Sequence, residues 1–149
     1  MMTCRLRSLA FVGLIILIGG IAFYAFTKRS QAAEQIFPAT INRDCAPWDG
    51  SAFTVSIPMK DIGISISIYQ APDIKLPATF SFPDDTMSVG NALLIMPIDS
   101  PKELTGKVSF QRVQQGSPVE GTFDITAVTG ERFKGKFIAE WGNEIVYCG

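Results

Sequence analysis

An all-β domain, a compact antiparallel barrel or sandwich of about eight strands, is what most of this 149-residue chain predicts, and three observations carry the prediction. The first is strict alternation: Ile62, Ile64, Ile66 and Ile68 alternate with Gly63, Ser65, Ser67 and Tyr69. One face of that segment is apolar and the other mostly polar, which is the period of a strand and not of a helix. The second is punctuation, since from Ala46 onward proline and glycine recur about every ten residues, as in sandwiches and barrels. The third is a glycine-led unit that returns in the last third: Gly106-Lys107-Val108-Ser109-Phe110, Gly121-Thr122-Phe123-Asp124-Ile125 and Gly135-Lys136-Phe137-Ile138-Ala139. Spaced 15 and 14 residues apart, each unit fits one strand plus its turn, with glycine where the backbone bends or a neighbour passes closely.

Taken in order, the chain opens with a different kind of segment. Residues 9–26 are apolar, glycine or tyrosine without exception, and 18 residues of helix at about 1.5 Å each nearly span a bilayer's hydrocarbon. Arg5 and Arg7 precede the run, Lys28 and Arg29 follow it, and Phe23, Tyr24 and Phe26 collect at its far end as interfacial anchors do. Residues 1–29 are therefore expected to be one N-terminal transmembrane helix or a signal segment. Ser30 and Ala32 would allow cleavage after Ala32, but the run exceeds a usual signal core and two basic residues separate it from that position, which favours a retained anchor. Residues 30–44 read as a spacer, and residues 45–149 as the β domain.

Cysteine placement orients the chain. Cys4 precedes the apolar run, whereas Cys45 and Cys148 bracket almost the whole domain. A pair so placed suggests a structural disulfide, and hence an oxidising compartment. The expectation is a single-pass protein with its N-terminus cytoplasmic and its C-terminal domain extracytoplasmic, or a secreted domain if cleavage occurs. With Cys45 just before the first strand and Cys148 in the last, those strands must also approach each other.

Within the domain, Phe53, Val55 and Ile57 make the first strand, 62–69 the next, and Ala78, Phe80 and Phe82 a third bracketed by Pro77 and Pro83. Residues 92–98 are apolar throughout, consistent with burial on both faces or with cover from elsewhere. The last three units form an antiparallel meander whose inward set is Val108, Phe110, Phe123, Ile125, Phe137, Ala139 and Trp141.

The chemical inventory is thin. The chain has no histidine, which removes the usual serine, cysteine and zinc arrangements, and no serine is followed three residues later by lysine. Asp84 and Asp85 read as a turn after Pro83. No metal site, cofactor or enzymatic activity is expected. Four of the thirteen basic residues lie before Ser30, leaving nine against fourteen acids in the rest; that balance excludes nucleic acid. The stretch from Asp44 to Gly50 contains the candidate binding residues Trp48 and Asp49, with Tyr69 a third. Trp48 could form a ligand platform with Asp49 orienting a hydroxyl or amide. The plainer expectation is that Trp48 packs on the disulfide and plugs one barrel end while Asp49-Gly50 makes the turn.

Two functions follow as expectations. One is a non-enzymatic interaction or assembly module of a cell envelope, anchored in the lipid bilayer by its N-terminal helix and meeting an envelope protein. The other is a secreted or anchored β-barrel that binds a small apolar or sugar ligand.

Overall fold

The computed structural model describes residues 35–73, 78–83, 89–143 and 145–149. The apolar run, the cleavage position at Ala32 and the Asp84-Asp85 pair lie outside the described residues. Among the described residues no helix is long and apolar enough to cross a membrane.

The domain is all-β, with strands β1 (Ile36–Cys45), β2 (Ser51–Pro58), β3 (Gly63–Ile68), β4 (Ala78–Phe82), β5 (Gly90–Ile95), β6 (Lys102–Arg112), β7 (Val119–Ala127) and β8 (Arg132–Trp141). Seven of them close into a barrel in the order β1-β2-β3-β5-β6-β7-β8, and β4 is an extra strand on β6. One edge of β6 serves two neighbours: Lys102 and Glu103 pair with β5, while Gly106 to Phe110 pair with β4.

Closure constrains direction. Strands that alternate up and down around a ring must be even in number, so a ring of seven needs one parallel seam. That seam joins β1 to β8, with Ile36 opposite Lys136 through to Ile41 opposite Trp141; the other ring pairings are antiparallel. Parallel neighbours need a long connection, and the whole domain supplies it. The wholly antiparallel expectation is corrected here.

The spacer expectation is corrected as well, because residues from Ile36 onward form β1. Pro38 concealed it, since proline inside a strand removes a ladder donor. In this strand the loss is harmless. The carbonyls of Gln35 and Ile41 accept from the N–H groups of Lys136 (3.0 Å) and Gly142 (2.9 Å), so odd-numbered residues aim their backbone groups at β8. The nitrogen of Pro38 faces the other edge, where β2 pairs only from Thr40 onward.

The interior is filled by side chains. Val108, Phe110, Phe123, Ile125, Phe137 and Ala139 are buried as the alternation predicts, Trp141 is half-buried, and no polar or charged residue is buried among the described residues. Phe110 sits at the centre, with the rings of Phe53, Phe80 and Phe137 edge-on to it at centroid distances of 5.6, 5.8 and 5.6 Å. Residues 92–98 are covered on one face only: Ala92 and Leu94 are buried, Ile95 is exposed, and the strand ends there.

Two of the repeated glycines act as seats for rings. A Cβ on Gly121 would lie 2.3 Å from Cζ of Phe137, and one on Gly135 would lie 2.6 Å from Cε2 of Phe37. On the outer wall, Arg132 grips Asp124 through Nε and Nη2 at 2.7 and 2.6 Å. That hydrogen-bonded guanidinium holds the Asp124 carboxyl below the usual carboxylate range. The small stabilisation such an exposed pair gives is present above that range and lost as the pH falls below it.

Gly121→Ala is expected to lower unfolding free energy in urea by about 1 to 3 kcal/mol, the usual cost of overpacking. Combining it with Phe137→Leu should cost less than the two changes separately, because the shorter side chain vacates the seat. Strict additivity in that cycle would contradict the ring-on-glycine packing.

Candidate functional site

The barrel has two unlike ends. One carries the β1–β2 turn, the segment after β3, the β6–β7 connection and the C-terminal tail. In the β1–β8 seam partner numbers differ by 100, so a tail continuing in register would bring residue 145 to Cys45. The cysteine stands at 148, and the tail accordingly takes three extra residues. Cys148 is therefore not in a last strand, as the sequence suggested, but beyond β8, while Cys45 is the last residue of β1. Their Cα atoms are 5.5 Å apart and the sulfurs stand at disulfide distance, 2.10 Å.

Between Cys45 and β2 the chain turns tightly. The Ala46 N–H donates to the Gly50 carbonyl at 2.8 Å, and the Asp49 N–H donates to the Ala46 carbonyl at 2.9 Å. Asp49 adopts φ 61°, a left-handed conformation that aspartate tolerates. The turn expected for Asp49-Gly50 is present, but the plug is not. Trp48 is 56% exposed at the tip, and its ring meets Tyr69 edge-on, with centroids 5.4 Å apart. Gly50 makes room for the indole, since a Cβ there would lie 2.7 Å from Trp48 Nε1. The structure thus brings Trp48 and Tyr69 together, while the Asp49 carboxylate lies against Gly149.

A polar row runs beneath this pair on the outer wall. Asp44 accepts from the Cys45 N–H at 2.8 Å and from the Thr54 hydroxyl at 2.6 Å. Because the Thr54 proton is committed to Asp44, Ser67 is the donor in the 2.8 Å contact between the two hydroxyls. The register places Asn91 opposite Ser67. Its Nδ2 donates to the Tyr69 hydroxyl at 3.1 Å, and its buried Oδ1 has no partner among the described residues.

Beside the aromatic pair lies an open cleft of about 820 Å³, walled by Ser51 and Ala52 after the Trp48 turn and by Ala71, Pro72 and Asp73 after Tyr69. Arg43 and Arg112 line it too. Plain alternation from Val108 and Phe110 would bury Arg112. A bulge between Phe110 and Arg112 shifts the phase instead, so Arg112 is exposed and Val113 buried, which is how bulges re-aim side chains near sites. Each guanidinium donates to a glutamine amide oxygen, Arg43 to Gln115 and Arg112 to Gln114. The Trp141 indole N–H donates to the Gln114 carbonyl at 2.9 Å and ties this connection to β8. Among the described residues neither arginine forms an ion pair, and no group of three or more acids or cysteines is placed to hold a metal.

No family model, curated protein or solved structure matches the chain. The site therefore has to be read from its own chemistry. Its arrangement presents an exposed Trp48 edge-on to a half-buried Tyr69, next to an open cleft that holds two guanidiniums. Arg43 is not legible in the sequence, where residues 30–44 read as a spacer. An arginine at an inward position of β6 was the signal that could have revealed Arg112 and its bulge.

Two outcomes are expected at this end. Trp48→Ala should cost about 0.5 to 1.5 kcal/mol, the value of an aromatic pair, rather than the roughly 3 to 5 of an emptied core position, as read by chemical denaturation. Reduction of the pair 103 residues apart should lower stability by roughly 4 to 5 kcal/mol in the chain-entropy model; a shift of less than about 1 kcal/mol would mean the tail does not restrain the unfolded chain.

Proposed function

We propose that this chain is a membrane-anchored, extracytoplasmic, non-enzymatic binding module of a cell envelope, and that its disulfide end is the recognition surface. The observation that carries the reading is Trp48, exposed and edge-on to Tyr69 beside a cleft holding Arg43 and Arg112. Tryptophan, tyrosine and arginine are the residue types that dominate binding energy at protein interfaces. Tyr147, 88% exposed on the tail, adds to the same end. Two guanidiniums that form no ion pair among the described residues, in a cleft they share with Asp44 and Asp73, suit an acidic segment of a protein partner. The apolar run and the paired cysteines support the anchored, extracytoplasmic part of the reading.

A second reading, a small sugar or apolar ligand, is favoured by one observation: the cleft falls within the usual size of ligand sites, about 300 to 1,000 Å³. Such a ligand would sit at the mouth, because the lumen is occupied by phenylalanine and branched side chains. A barrel of this strand number leaves little more than room for its own side chains.

The test is native mass spectrometry of the full-length chain extracted gently from its own membranes, alongside a Trp48→Ala/Arg112→Ala variant. A chain that retains Met1 and holds a protein companion, lost in the variant, is the expected result. A small-molecule adduct lost in the variant would favour the second reading. A chain that begins at Ala33, alone in both forms, would overturn the proposal.

A further inference from the structure

We infer that the hollow where β1 enters the barrel is a second binding site, and that it takes a small organic carboxylate with an apolar body. The backbone makes the hollow. Odd-numbered residues of β1 turn their backbone groups to β8, so its even-numbered residues bond β2, and Thr40 opposite Ser56 is the last such pair in the ladder. Two residues farther on, the same register sets Pro38 opposite Pro58. Neither proline has an N–H, so neither can serve the other's carbonyl. Both strands are nevertheless held on their far sides, Pro38 opposite Ile138 of β8 and Pro58 opposite Gly63 of β3. The ladder is thus open where the strands on either side of it are fixed. A hollow of about 540 Å³ lies there, within the usual size of ligand sites.

The lining selects the ligand. Phe37, Met59 and Phe133 supply an apolar floor. Phe133 is buried, and Phe37 is fixed by its seat on Gly135 and by a tilted contact with Phe123, the ring centroids 5.5 Å apart. Lys60, Arg132 and Lys134 stand around that floor, and among the described residues no acid lines the hollow. The three cations are not equally engaged. Arg132 is committed to Asp124, whereas Lys134 Nζ lies 3.9 Å from a carboxylate oxygen that Arg132 already holds at 2.6 Å. Lys60 forms no ion pair among the described residues, and its neighbour Asp61 lines only the adjoining hollow, beside Ile95 and Met96. Two ammonium groups, one on the β2–β3 connection and one on β8, are therefore available to a ligand. An inorganic anion would leave the floor uncovered, and a neutral apolar molecule would take water from the ammonium groups without replacing it. An apolar body ending in a carboxylate meets both demands. The site lies at the opposite end of the barrel from Trp48 and Arg112 and is independent of the reading proposed for them.

The experiment is methyl NMR on the full-length chain in phosphatidylcholine nanodiscs, labelled at its methionine methyl groups and titrated with naphthoate. The Met59 methyl should shift saturably in the ring-current field of the bound naphthalene, while that of Met96, which lines only the adjoining hollow, should not. The double change Lys60→Gln/Lys134→Gln removes two exposed charges, and it should weaken the apparent affinity at least about tenfold, the loss that a charge-assisted bond carries. Naphthylmethanol, the uncharged analogue, should bind the unaltered chain about as weakly as naphthoate binds the variant. A Met59 signal that does not move, or that drifts without saturating, overturns the site. Saturable binding that the lysine changes leave intact, or that naphthylmethanol matches, overturns the carboxylate assignment and leaves an apolar hollow without charge selection.

Discussion

Everything in this domain depends on the parallel seam between β1 and β8. A seven-membered ring cannot alternate direction all the way round, so one pair of neighbours must run the same way, and the first and last strands are the only pair that needs no extra crossover. Joining them has consequences at both ends of the barrel. It fixes where the chain comes in, beside Arg132 and Lys134, and it lays the C-terminal tail along the far half of β1. The seam brings the end of β8 alongside β1, the tail takes three residues more than that register needs to join Cys148 to Cys45, and Val146 of the tail lines the cleft.

The narrow ring also decides where function can sit. With Phe110 surrounded by three other rings and with Gly121 and Gly135 cut back to admit Phe137 and Phe37, the interior is committed to packing, at densities where one added methyl group is felt. The space left for any other molecule is thereby at the ends and on the outer wall. The two ends differ in chemistry: Trp48, Tyr69 and a cleft with two guanidiniums lie at one, with Ile145 and Tyr147 exposed nearby, and Ile36, Ile98 and Val128 are exposed at the other.

Much of this was legible in the sequence, and the parts that were not have physical reasons. Strands with clean alternation, from Phe53 to Phe82 and through the three glycine-led units, declare themselves because each buries one face. Eight strands stand among the described residues, but not the eight that the pattern suggests: the C-terminal segment around Cys148 is not a strand, and β1 is. That strand carries only Phe37, Ala39 and Ile41 on its inner side and interrupts itself with Pro38, so its hydrophobic signal is weak and its membership depends on a partner a hundred residues away. The aromatic pair is hidden for a related reason. Trp48 and Tyr69 lie on different connections and meet only because β2 and β3 pair in the register that sets Phe53 opposite Ile68. Local pattern cannot show a contact that only closure of the sheet creates.

The most direct test of the central claim is native-state hydrogen exchange on the oxidised protein, read at the amides of Lys136 and Gly142, which donate to Gln35 and Ile41 across the seam. In a closed ring these amides are exchanged only through large-scale opening, with protection close to that of Val55, Ile66 and Phe123 in the neighbouring ladders. Rapid exchange at the two seam amides, with the β2–β3 and β7–β8 ladders still protected, would show an open sheet whose first and last strands do not meet.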